Sequence, residues 1–378
     1  MKLHKVLLVP DSFKGTLSSI RVCTIMKKVI AAHFPDAEVV ELPVADGGEG
    51  SVDCFLTAMG GRKKAMPITG PYGETVPGFY GVLPDHTAVV EMAAAAGLPL
   101  AGTRTQVEKA TTYGVGQLIR DAARSGCRRI VMGLGGSATN DGGAGAAAAL
   151  GVKFYDAAGQ AFVPVGQTLM RVASVDLGGL EQTLAGVELR VMCDVDNPLC
   201  GPQGAAAVFG PQKGADAETV RLLDENLAHL AAVVKRDLGR DIAGLPGAGA
   251  AGGLGGGMAA FLGCRLEPGI EVVLDAVRFD ERLHGADLVF SGEGRLDSQS
   301  LRGKVVAGVA GRCKRGGVPL IAVVGDIEDP VDSFYAKGVR AVCSINRVAV
   351  PFSQAKLRSA ADLERTMDGI LRLLEIAP

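Results

Sequence analysis

Apolar runs of strand length alternate with helix-patterned stretches at both ends of the chain, and this alternation constrains the fold more than any other feature. KVLLV (5–9) is a buried strand closed by Pro10. Ser18 and Ser19 then offer an N-cap, and Ile20, Val22, Cys23, Met26, Val29 and Ile30 follow helical spacing. EVVEL (38–42) predicts a second strand, and the stretch from Ser51 to about Met59 a second helix. The same pattern returns in the last hundred residues. DLVFSG (287–292), PLIAVVGD (319–326) and RAVCSI (340–345) read as strands, and 303–315 and 354–375 as helices. Such alternation predicts a parallel sheet with helices on its faces.

The middle of the chain has another style. Residues 61–92 carry Pro67, Gly70-Pro71, Gly73, Pro77-Gly78 and Pro84, turn signals between short strand-like pieces, which predicts a hairpin or meander. A helix is expected from Thr112 to Arg124, and strands at 128–134 and 187–192. The clearest helix is Ala217 to Leu238. Its Val220, Leu223, Leu227, Leu230 and Val234 step by three and four, with Asp216 to cap it and Gly239 to end it. The economical arrangement is a doubly wound α/β domain built from residues 1–60 plus 281–378, with a second α/β domain inserted at 61–280. A length of 378 residues agrees with two domains.

Several function classes are excluded by composition. Lysine and arginine total 39 against 41 acids, a formal charge of −2, so no basic surface is available to hold nucleic acid. Aromatic platforms for stacking bases are scarce, with 12 Phe, 5 Tyr and no Trp. The eight cysteines form no C-x-x-C pair and the five histidines do not cluster with them, which argues against zinc. The cysteines read as small buried residues in a reducing compartment. Val6 to Val9 is too short for a signal peptide. Residues 242–264 are uncharged, but nine of these 23 are glycine, so they read as buried loop plus helix and not as a membrane span. A cytoplasmic protein without a membrane or nucleic-acid partner is expected.

In open parallel sheets, ligands bind at the carboxyl ends of strands. Five segments qualify: 11–15 (DSFKG), 46–50 (DGGEG), 135–143 (GGSATNDGG), 194–198 (DVDNP) and 293–297 (EGRLD). Glycine lets backbone N–H groups approach an anion. Carboxylates there suit Mg²⁺ or proton acceptance, and Lys14 and Arg295 suit phosphate or carboxylate charge. Together these are the parts for phosphoryl transfer. The pattern G-x-x-x-x-G-K-[ST] is absent, and the G-x-G-x-x-G match at 247–252 lacks a preceding strand, so that segment reads as close packing or a phosphate-contacting loop.

The order of these segments carries a resemblance. LLVPDSFKGTLSS (7–19), PVADGGEGS (43–51), GLGGSATNDGGAGAAAALG (133–151), CDVDNPLCGPQGAAAVFGPQKGA (193–215), GAGAAGGLGGG (247–257) and DLVFSGEGRLDSQSLRGK (287–304) together resemble the bacterial type-1 glycerate kinases. The resemblance implies an ATP- and Mg²⁺-dependent kinase that phosphorylates D-glycerate, chiefly on the 2-hydroxyl. It also implies a flavodoxin-like domain beside a second α/β domain, with the active site in the cleft between them. On this basis Lys14 and Arg295 are expected to neutralise phosphate and carboxylate charge. Gly135, Gly136, Ser137 and Asn140 are expected to cradle an anionic group, with Gly255 and Gly256 on the nucleotide side. Asp194 or Asp297 would accept the hydroxyl proton while the other helps hold Mg²⁺. Asp46 and Asp141 are second candidates for metal or substrate hydroxyl. Monomer and homodimer both remain open.

Overall fold

A computed structural model describes residues 2–45, 47–104, 106–180, 182–297, 300, 304–328 and 330–376. The chain divides into two compact units. The first comprises Met1–Asp46, Asp53–Gly60 and Pro268–Pro378, and the second Gly47–Val52 and Gly61–Glu267.

The first unit is built on five parallel strands in the order Val339–Ser344, Leu320–Val324, Leu288–Gly292, Lys5–Pro10 and Glu38–Glu41. Numbered along the chain within the unit, that order is 5-4-3-1-2, the flavodoxin-like order read from the other edge. Side chains alternate across a strand. Val6, Leu8 and Phe290 therefore meet Val22, Met26, Leu363, Met367 and Leu371 of the helices Ser19–His33 and Phe352–Ile376 on one face. Leu7, Val9 and Val289 are equally buried and alternate to the opposite face, where Val305–Gly316 packs. The first helix starts as the sequence predicts, with Ser18 accepting a hydrogen bond from the Arg21 N–H.

Charge also ties the two helices of the first face together. His33 Nε2 lies 2.9 Å from Asp368 Oδ1, and Nδ1 lies 2.8 Å from Glu375 Oε1. Hydrogen bonds to Glu375 and Asp368 raise the His33 pKa above its ordinary value. A raised folded-state pKa stabilises the fold below the unfolded value of about 6.5, and that stability is lost as pH rises through the folded value. Thermal melts at about pH 6 and pH 8 should show this loss, and His33→Gln should reduce the difference.

The second unit holds a six-stranded mixed sheet in the order Arg265–Glu267, Glu188–Met192, Arg129–Gly133, Thr87–Glu91, Thr75–Val82, Arg62–Thr69. The first four strands run parallel. The last two form the antiparallel hairpin expected of the Pro- and Gly-punctuated region. Val90, Ile130, Met132 and Val191 pack with Leu118 and Ile119 of the helix Tyr113–Arg124. The helix Ala217–Leu238 is capped by Asp216, which accepts from the Thr219 N–H at 2.8 Å, and ends at Gly239 with φ +68°. The uncharged stretch contains the buried helix Ala250–Leu262, and among the described residues no helix is long and apolar enough to cross a membrane. Ala251, Gly252 and Gly253 inside that helix are left-handed. A side chain at Gly252 would run into the Thr139 carbonyl, so the backbone of the 139–142 loop approaches as closely as glycine permits.

Candidate active site

In the first unit, the order of the sheet reverses between Lys5–Pro10 and Leu288–Gly292, which are paired in register from Val6↔Leu288 to Pro10↔Gly292. Their carboxyl ends form the switch point at which such sheets bind ligands. The pairing sets Asp11–Lys14 alongside Glu293–Asp297. The Asp11 N–H donates to the Gly292 carbonyl at 2.8 Å, and a Cβ on Gly294 would lie 3.1 Å from the Lys14 nitrogen. Lys14, Arg295 and Asp297 are thus gathered at one corner. Lys14 is exposed, and Arg295 is exposed and ion-paired with Glu328 at 2.9 Å.

The same corner holds groups that sequence reasoning passed over. Glu293 is only 3% exposed, and its Oε1 has no hydrogen-bond partner among the described residues. Burial pushes its carboxyl up to about 7, aided by the charges of Asp11 and Asp297 and opposed by Lys304 and a hydrogen bond to Ser300. Asp297 behaves in the opposite way. Burial would raise it, but the Ser300 N–H (3.0 Å) and Lys304 Nζ (3.4 Å) hold its carboxyl below the usual range. Two neighbouring acids with pKa values pushed apart are the usual mark of divided roles. Glu293 directly follows an apolar strand, and that adjacency was the available signal. Among the described residues no group of three or more His, Cys, Asp or Glu is placed to hold a metal ion.

In the second unit, the glycine-rich segment follows Arg129–Gly133 at the carboxyl edge of the parallel strands. Gly47–Val52 packs over its start. The Gly135 N–H donates to the Gly47 carbonyl at 3.0 Å, a Cβ on Gly135 would lie 2.6 Å from Gly48 Cα, and the Val52 N–H donates to Glu91 at 2.6 Å. Gly136 is exposed with φ +76°. Lys213, in the short turn Pro211–Lys213, donates from Nζ to Ser137 Oγ and to the Thr139 carbonyl, both at 2.8 Å. It is almost fully buried, and burial brings its pKa down to about 7. Its motif, GPQKGA, was visible in the sequence, but its burial was not.

The other expected site residues fall in different places. Asn140 is fully buried, with neither amide atom partnered among the described residues. Asp141 is also fully buried. Its carboxylate accepts from the Thr112 N–H and Oγ1 and from the Gly143 and Gly145 N–H groups, which makes it the hub of the loop. Burial raises its pKa against the pull of those donors. Asp194 lies on the exposed loop after Glu188–Met192. Gly255 and Gly256 are buried within the helix Ala250–Leu262, where side chains would press on the Gly247 carbonyl and Ala248. That placement accounts for both glycines by close packing. Asp46 lies outside the described residues.

Comparison with known proteins bears on this arrangement. The profile of the glycerate kinase family matches residues 6–375. The chain is 44% identical over 379 residues to the glycerate kinase of Bacillus subtilis (strain 168), covering 99% of this chain and 98% of that protein. It is 45% identical over 343 residues to the glycerate 2-kinase of Escherichia coli (strain K12), covering 90% of each. A crystal structure from Salmonella typhimurium LT2, provisionally named glycerate kinase 2, matches with a TM-score of 0.88 at 41% identity over 99% of each chain.

Proposed function

This chain belongs to the glycerate kinase family, an ATP-dependent phosphotransferase family acting on glycerate, and we propose that it phosphorylates D-glycerate on the 2-hydroxyl to give 2-phospho-D-glycerate. The position of transfer is supported by the name of the Escherichia coli relative, a glycerate 2-kinase. The observation that carries the mechanism is the buried, part-unpartnered Glu293 at the switch point of the first unit. A carboxylate with a pKa near 7 is both ionised enough and basic enough to take a hydroxyl proton at neutral pH. We assign it that role, in place of the Asp194 or Asp297 expected from the sequence.

Asp297, kept ionised, has the chemistry of a Mg²⁺ carboxylate, and Asp194 retains the alternative metal role. Mg²⁺ typically takes one or two protein carboxylates, with water and phosphate oxygens completing its shell. The ion supplies neutralisation of phosphate charge. Lys14 and Arg295 carry positive charge for the anionic substrates, and the Gly135–Ser137 segment offers hydroxyl and backbone donors. Dependence on ATP supports a cytoplasmic location. ADP release by the full chain should require D-glycerate, ATP and Mg²⁺ together. ADP formed at the same rate without glycerate would sink the assignment.

A further inference from the structure

Lys213 is 5% exposed, and its Nζ has two hydrogen bonds, to Ser137 Oγ and the Thr139 carbonyl. Both acceptors are neutral, and among the described residues no carboxylate stands within ion-pair distance. Among the described residues, the charged group whose field reaches it is Asp141, whose carboxylate is already engaged by Thr112, Gly143 and Gly145. A buried ammonium without a counter-charge is costly, and the depressed Lys213 pKa reflects that cost.

Beside it lie further unmet groups. Thr139 Oγ1 and both amide atoms of Asn140 are buried and have no partner among the described residues. Buried side-chain polar atoms are seldom left so. A hydrogen-bonded cation without a counter-charge, beside a hydroxyl and an amide without partners among the described residues, describes a receptor whose missing component is an anion with oxygen acceptors.

We propose that Lys213, with Thr139 and Asn140, is the recognition site for an anionic oxygen of a substrate. Lys213 supplies the charge, and the Thr139 hydroxyl and Asn140 amide supply hydrogen bonds. The proposal rests on the reading of the chain as a glycerate kinase. Two substrates carry such an oxygen, glycerate in its carboxylate and ATP in its phosphates, and the shared chemistry is what the site recognises.

Calorimetric titration of the full chain with D-glycerate, and separately with ATP and Mg²⁺, tests it in Lys213→Met and Asn140→Leu. Methionine keeps an unbranched stem without the charge, and leucine nearly keeps the volume without the amide. Asn140→Leu removes an amide without a partner among the described residues and should melt at or above the wild-type temperature, whereas Lys213→Met leaves Ser137 Oγ and the Thr139 carbonyl without their donor and should melt somewhat lower. In both, Kd for one ligand should rise about tenfold or more while the other stays within about twofold. Weakened glycerate identifies the carboxylate, and weakened ATP identifies a phosphate. Wild-type affinity for both ligands in Asn140→Leu overturns the proposal, even if Lys213→Met fails to fold. So does lost stability with unchanged Kd, which would make Lys213 a prop for the loop. Binding is read without turnover, so a wild-type chain that forms no phosphoglycerate would remove the kinase reading while the titrations still judge Lys213.

Discussion

Replacing Glu293 with glutamine lowers kcat by about 10²–10⁴-fold, the usual worth of a positioned general base. Glutamine keeps the shape and removes the charge, so substrate affinities should change little. The wild-type pH profile carries a further signature. Glu293 must be ionised to accept a proton, so kcat/KM should rise with pH through about 7 and fall roughly tenfold per unit below it. Asp297 sits below the ordinary carboxylate range and stays ionised across this window, so it contributes no such limb. The limb should vanish in Glu293→Gln. Stability should respond with the opposite sign. The folded pKa of Glu293, about 7, lies above its ordinary value of 4.5, so its contribution is fully present at low pH and is lost as pH rises between those values. The span is worth up to about 3 kcal/mol, and melts of the glutamine variant should be correspondingly flatter with pH. Wild-type turnover in Glu293→Gln would place the base elsewhere.

Asp141→Ala should destabilise the second unit by about 4 kcal/mol or more. Four donors depend on that carboxylate: the Thr112 N–H and Oγ1 at 2.8 Å, and the Gly143 and Gly145 N–H groups at 3.1 and 3.2 Å. Each buried donor left unpaired costs about 1–3 kcal/mol. At about 2–4 °C per kcal/mol for a unit of this size, the melting temperature should fall by roughly 8–16 °C. Asp141→Asn keeps one acceptor oxygen and should lie between the two. Because Asp141 orders the turn after Asn140, activity in either variant should track the folded fraction. An alanine variant that melts like wild type would remove Asp141 as the hub of the loop.

The strands and long helices were readable because their signals are local. KVLLV before Pro10, Ser18 before a 3.6-residue apolar period, and Asp216 and Gly239 around one amphipathic helix each state an element within a few residues. The alternation implies the parallel sheet, and the observed strand order brings Asp11 beside Glu293. The candidate site was less legible because burial and charge neighbours arise only in three dimensions. Glu293 and Arg295 sit two residues apart, yet one is buried and displaced in pKa while the other is exposed on Glu328. Lys213 ends a turn of three residues with no periodicity to reveal that it points inward. Asn140 and Asp141 are adjacent and both buried, but only Asp141 is saturated with donors. Gly255 and Gly256 look like a ligand loop in sequence, where glycine for anion approach and glycine for helix packing are indistinguishable.

The most direct test of the central claim is phosphorus NMR of the product formed by the full chain from D-glycerate, ATP and Mg²⁺. The expected result is a single new phosphomonoester whose coupling to one methine proton identifies 2-phospho-D-glycerate. A methylene-coupled signal, from 3-phosphoglycerate, or no phosphomonoester from folded protein with ATP intact, would contradict it.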